Sequence, residues 1–369
     1  MTQGLKDYLE NAFKLNSEEN NTLPLESEDQ NAYWKDYIKI YKTHGFIDGF
    51  KDTFRQFHFP IQSGIKDHEN YKKVTAKGIH PKDIDLSPTL KLDDPSGINA
   101  YMHQCPAGEI PVIHVPNRID FENIIRCIVY KNEPAEFSKA MGAIMIAGFN
   151  NWNRIDDLKN KWEINKVKQF PSWGMEFKFN VVPNKTLYKD RFIILSNGPY
   201  SNVKASSLGL EDEEWINYSL IIRREHECTH YFTKRFFGTM RNNMHDELLA
   251  DYMGISMAKG IFISNWFLTF LGLEGKTYRK GGRIENYLKD PVINDQEFIS
   301  LQEIMRKASI NTETFDEELG STKDYNERTL RLLALSQVSL DKIASANAVK
   351  HLIENYKLFK KKISFKNLN

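Results

Sequence analysis

Two short segments of the chain hold residue types that together could do chemistry. The first is Arg224-Glu225-His226-Glu227-Cys228-Thr229-His230, and the second is Asp246-Glu247-Leu248-Leu249-Ala250-Asp251. On a helix, His226 and His230 stand at i and i+4 and project from one face, which suits two imidazole ligands on a single zinc ion. Glu227 lies beside that face and could reach a water at the metal without itself being a ligand. Glu247 would supply a third, anionic ligand from a second helix. Asp251, one turn later on the same face, could hold a ligand imidazole from behind.

These roles need two helices. The run Glu214-Trp215-Ile216-Asn217-Tyr218-Ser219-Leu220-Ile221-Ile222 leads into the first segment without Pro or Gly, and Gly238 offers a stop. The spacing predicts a helix from about Asp212 to Phe237. Ser219, Ile222, His226 and His230 fall on one stripe of it, so both imidazoles face the same way. Two core histidines on a packed helix would look similar; the Glu-x-x-x-Asp pattern just after a short break favours the metal.

The pair of motifs resembles the gluzincin branch of the zinc metallopeptidases, in which one helix bears His-Glu-x-x-His and a second bears Glu-x-x-x-Asp. The resemblance covers roughly Asp212 to Gly254 and implies a zincin-like fold. It also implies that His226, His230 and Glu247 bind zinc, that Glu227 is the catalytic base, and that Asp251 supports a ligand histidine. The metzincin variant is excluded, because Thr233 and Phe236 stand where it requires Gly and His.

Such chemistry also needs a donor for a developing oxyanion, usually a His, Tyr or Arg further along the chain. Arg283 and Tyr287 are candidates, because the preceding Gly281-Gly282 lets backbone and substrate approach closely; an ordinary surface turn is the competing reading. His351 is a third candidate, with an ordinary helical position as its alternative. His245 lies on the other side of the second helix from Glu247 and is read as non-ligating, and Cys228 as a small buried hydrophobe. Arg223, Arg224, Lys234, Arg235 and Arg241 read mostly as solvated faces, one of which could receive a substrate carboxylate. Trp173-Gly174-Met175-Glu176-Phe177 resembles only loosely a loop that binds substrate amino termini in zinc aminopeptidases. Asp190–Ser196 is β-favouring and ends at Asn197-Gly198-Pro199, while Phe177, Phe179 and Val181 alternate with polar residues. Two strands followed by the active helix are therefore expected, with a substrate pairing along the sheet edge.

The remainder sets bounds. A chain of 369 residues can build a sizeable core, and a net charge of +1 argues for neither nucleic acid nor an anionic membrane as partner. Three scattered cysteines and an amino terminus without a signal-peptide layout lead to the expectation of a cytoplasmic protein. The apolar runs Ala140–Phe149 and Ile261–Leu273 are too short to span a bilayer and read as buried helices. Val112–Val115 reads as a strand, and Phe121, Ile124, Ile125 and Ile128 as a helix capped by Asp120. Three regions are expected: a helical and irregular 1–100 with a polar link from Asn16 to Asn31, an α/β zincin subdomain over 101–238, and a helical 239–369 ending in a solvated Lys360–Lys362 tail. The fold class expected is α+β, with a small mixed sheet above the active-site helix. The substrate expected is a peptide or a small amide; a non-peptide amidohydrolase and a non-catalytic zinc module are the alternatives.

Overall fold

The computed structural model describes residues 1–15, 22–84, 86, 89–241, 243–289 and 292–366; residues 16–21 of the expected polar link lie outside them. The architecture is α+β in two compact units, neither continuous in sequence. One comprises Ser27–His103 and Glu109–Asn197; the other comprises Met1–Glu26, Gln104–Gly108 and Gly198–Asn369. Both units thus draw on the stretches 1–100 and 101–238 that the sequence reading kept apart.

The first unit is built on a sheet of β1 (Asn99–Cys105), β2 (Gly108–Val115), β3 (Ala143–Asn150) and β4 (Lys189–Ser196), in the order β1-β2-β4-β3. β4 runs parallel to β2, with Val112 opposite Ile193, and antiparallel to β3, with Ile144 opposite Ile194. The sheet is therefore mixed. Phe192–Ser196 is buried without alternation, as befits a strand with a neighbour on either side. Helix Gln30–His44 lays Trp34, Tyr37 and Ile38 on this sheet, and helix Arg118–Ile128 adds Phe121, Ile124, Ile125 and Ile128 to the same core. The Trp34 indole also donates to the buried Asp190 carboxylate at 2.9 Å.

Several expectations about this unit are overturned. Ala143–Asn150 is a strand, not a buried helix: a short apolar run suits either state, and pairing with β4 decides it. Phe177–Val181 is not a strand. It continues the short helix Trp173–Glu176 as a wide turn in which Val182 N–H donates to the Phe177 carbonyl at 2.8 Å. Trp173, Phe177 and Val181 also stand four apart, and that helical spacing lets them pack with Trp152, Ile155 and Tyr188. Trp173-Gly174-Met175-Glu176 is accordingly helical rather than a substrate loop, and β4 is an inner strand rather than an edge. Finally, helix Arg118–Ile128 is capped by Asn117, whose Oδ1 accepts from Ile119 N at 2.8 Å. Asp120 instead accepts from the Asp93 and Asp94 backbone N–H groups.

The second unit is helical: α1 (Gln3–Leu9), α2 (Asp212–Phe236), α3 (Met244–Lys259), α4 (Ser264–Leu271), α5 (Asp295–Glu318), α6 (Tyr325–Ser336) and α7 (Ala348–Lys362). A separate helical turn, Leu340–Ile343, lies between α6 and α7. A buried knot fastens α5 to α6, with Asp316 accepting from Arg328 Nη1 at 2.5 Å and from Arg331 Nη1 at 2.8 Å. α1 buries Leu5, Tyr8 and Leu9 in this unit, and the Tyr8 hydroxyl accepts from Met244 N at 3.0 Å at the start of α3. The amino-terminal segment is thus part of the core. Lys360–Lys362 form the last turn of α7, where cations favour a helix end, rather than a tail. Among the described residues no helix is long and apolar enough to cross a membrane.

Candidate metal centre

α2 begins on Asp212, Glu213 and Glu214 and ends on Lys234 and Arg235, the charge order that a helix dipole favours. Its buried stripe runs through Trp215, Ser219, Ile222, His226 and Thr233. α3 starts at Asn243, whose side chain accepts from Asp246 N at 3.2 Å, and every residue from Met244 to Ser256 is buried. Gly254 permits the close crossing of the two helices: a Cβ there would stand 2.8 Å from the Ile222 carbonyl oxygen.

That crossing brings His226, His230 and Glu247 together. One ligand atom from each lies within 4.8 Å of the others, a group that could hold a metal ion. The two Nε2 atoms are 3.1 Å apart, His230 Nε2 is 3.4 Å from Glu247 Oε1, and His226 Nε2 is 3.7 Å from Glu247 Oε2. Bonds of about 2.0–2.1 Å to a tetrahedral centre would separate neighbouring ligand atoms by about 3.3 Å, close to each of these edges. Glu247 Oε2 is buried without a hydrogen-bond partner, with Arg283 Nη2 3.7 Å away.

The histidines are held from behind. Asp251 Oδ1 lies 2.9 Å from His226 Nδ1, so a proton on Nδ1 leaves the Nε2 lone pair facing the cluster. Asp251 is itself fixed. The Tyr200 hydroxyl donates to its Oδ1 at 2.6 Å, and Arg283 Nη2 donates to its Oδ2. Arg283 Nη1 in turn donates to the Tyr200 hydroxyl at 2.5 Å. Tyr200 is seated by Ser219 of α2, whose hydroxyl accepts from Tyr200 N at 2.9 Å, and by Phe270, whose ring centre is 4.9 Å away. The other imidazole, His230, turns Nδ1 toward Asp246 Oδ1 at 3.5 Å.

The charges fit a cation. Asp246, Glu247 and Asp251 are buried around the two imidazoles, and Arg283 is the positive side chain among them. Burial alone would raise the Glu247 carboxyl, but the neighbouring imidazoles and Arg283 hold it well below the ordinary carboxylate range. Burial likewise opposes ionisation of Asp251, and the Arg283 charge together with His226 outweighs it.

The remaining candidates sort themselves. Glu227 is half-buried beside His226, and among the described residues it makes neither a hydrogen bond nor an ion pair. Tyr287 lies close to Glu247; burial and that carboxylate's charge push its hydroxyl well above the usual tyrosine range. Arg283 is in the cluster rather than in a surface turn, and its bonds to Asp251 and Tyr200 make it a clamp. His351 is exposed on α7 and takes no part. His245 is a neutral core histidine, edge-on to Phe13 with ring centres 5.2 Å apart, and burial pulls its pKa down to about 4. Cys228 is buried on the far side of α2, and burial raises its thiol well above the usual range. Arg223, Arg235 and Arg241 are bonded to backbone carbonyls, of Gly198 and Pro199, of Ala107 and Glu26, and of Glu10, rather than spread over a solvated face.

Fold and site together define an α+β protein whose helical unit carries a buried two-histidine, one-glutamate cluster able to hold a metal ion. The chain belongs to a family of unknown function, DUF7005, whose sequence profile matches residues 1–347 and so contains the whole cluster. No curated protein and no solved structure matches it.

Proposed function

We propose that this protein is a zinc-dependent hydrolase of the gluzincin type, cleaving a peptide bond with Glu227 as general base, on a zincin-like scaffold. The observation that carries the reading is the triangle of His226 Nε2, His230 Nε2 and the Glu247 carboxylate, with the unpaired, half-buried Glu227 next to it in sequence. Zinc held by three protein ligands keeps a position free and acts there as a Lewis acid. Glu227 takes the proton of the attacking water and passes it to the departing amine. No other side chain competes for its carboxylate among the described residues, so it is free for that work. We assign to Tyr287, near Glu247, donation to the negative charge growing on the scissile carbonyl. Arg283 acts through Asp251, as a positioning residue rather than as the oxyanion donor.

A structural zinc would instead have four protein ligands. The cluster among the described residues offers three, which favours a catalytic site. The test compares zinc-loaded wild type with Glu227→Gln on a mixed peptide library, read by mass spectrometry. Equal zinc in both proteins, with cleavage by the wild type falling at least about a hundredfold in the variant, is the expected result. Equal cleavage by both would remove Glu227 from the mechanism.

A further inference from the structure

The sequence motifs assign a supporting carboxylate to one ligand histidine; the structure assigns one to the other as well. We infer that Asp246 is the positioning residue of His230, an inference that rests on the metal-site reading above. His230 Nδ1 is buried and has no hydrogen-bond partner; neither has the second oxygen of Asp246, Oδ2. The nearest carboxylate oxygen to that Nδ1 is Asp246 Oδ1, at 3.5 Å. A buried imidazole nitrogen without a hydrogen-bond partner is costly unless the carboxylate that faces it acts on it. Asp246 is also built into place. Its backbone N–H is held by the Asn243 cap at 3.2 Å, and its Oδ1 lies 3.5 Å from the Thr233 hydroxyl, one turn beyond His230 on α2.

The consequence is a matched pair. Asp251 faces Nδ1 of His226, and Asp246 faces Nδ1 of His230, so each imidazole is directed to keep its proton on Nδ1 and its lone pair on Nε2. Asp246 immediately precedes the ligand Glu247. One turn of α3 therefore supplies both an anionic ligand and the group that orients a histidine on the facing helix. The facing carboxylate also raises the basicity of His230 toward a cation.

The test measures zinc affinity by competition with a chromophoric chelator, in wild type, Asp246→Asn and Thr233→Val. A nitrogen-proton correlation spectrum of the zinc-loaded proteins reports which ring nitrogen of His230 carries the proton. Asp246→Asn keeps the shape of the side chain and removes its charge. It is expected to weaken zinc binding about 10- to 100-fold and to shift or lose the Nδ1 proton signal of His230, leaving that of His226 in place. Thr233→Val loosens Asp246 without altering it, gives a smaller loss in the same direction, and serves if Asp246→Asn does not fold. Affinity within about threefold of wild type and an unchanged His230 signal in the folded variants would overturn the role of Asp246 while leaving the metal site intact. A wild type that binds no zinc would overturn this inference together with the reading beneath it, and is distinguished by that first measurement alone.

Discussion

Gly254 of α3 faces the backbone carbonyl of Ile222 on α2 so closely that a methyl group at Gly254 would stand 2.8 Å from that oxygen. Ile222 is one turn before His226, and Gly254 follows Asp251 by three residues. This contact therefore sets the distance between the helix that carries the histidines and the helix that carries the carboxylates. Gly254→Ala is expected to push the helices apart, costing about 1–3 kcal/mol of stability and lowering zinc retention. Urea unfolding and metal content of the purified variant check both effects. A variant as stable as wild type with unchanged zinc would show that the crossing has slack.

Tyr200 joins three groups through one hydroxyl, receiving from Arg283 and standing within reach of both Asp251 and His226. Tyr200→Phe keeps the ring on Phe270 and removes only that oxygen. The expected loss is about 1–2 kcal/mol of stability, with weaker zinc binding because Asp251 loses a donor. Calorimetric unfolding with and without zinc should show a larger loss in the loaded protein; equal losses would mean that Tyr200 is structural only.

Asp316 ties α5 to α6 and tests the helical scaffold. Burial opposes its ionisation, but the bonds from Arg328 and Arg331 hold its carboxyl below the ordinary range. A group with a depressed folded pKa stabilises the fold above its unfolded value, near pH ~4, and that contribution is lost as the pH falls through the folded value. Wild type is therefore expected to exceed Asp316→Asn by about 3–5 kcal/mol near neutrality, with the difference shrinking on acidification below about pH 4. Denaturant unfolding across pH 2.5–7 (about ten points) would follow it. A difference independent of pH would place the cost in packing rather than in charge.

The candidate metal site was largely legible because helical periodicity is local. His226 and His230, like Glu247 and Asp251, each repeat at one turn, so their faces follow from spacing alone. Asp246 shows the limit of that rule: it neighbours Glu247 in sequence and meets His230 only because of how the two helices cross. Tyr200 gave no local signal, since its role depends on where the turn after β4 docks. The bland reading of Arg283 as a surface turn failed for the same kind of reason: its partner Asp251 is 32 residues away. The strands were the weakest part. Ala143–Asn150 is apolar enough for either state, and Phe177–Val181 satisfies both the two-residue and the four-residue period, so only tertiary packing separates them.

Whether His226, His230 and Glu247 hold zinc is decided by zinc per chain, measured by atomic emission on wild type, Glu247→Ala and, as a control, His351→Ala, purified side by side after reconstitution. Close to one zinc is expected in wild type and in the exposed His351 variant, with a severe loss in Glu247→Ala. Zinc retained at the wild-type level by Glu247→Ala, or absent from reconstituted wild type, would contradict that expectation.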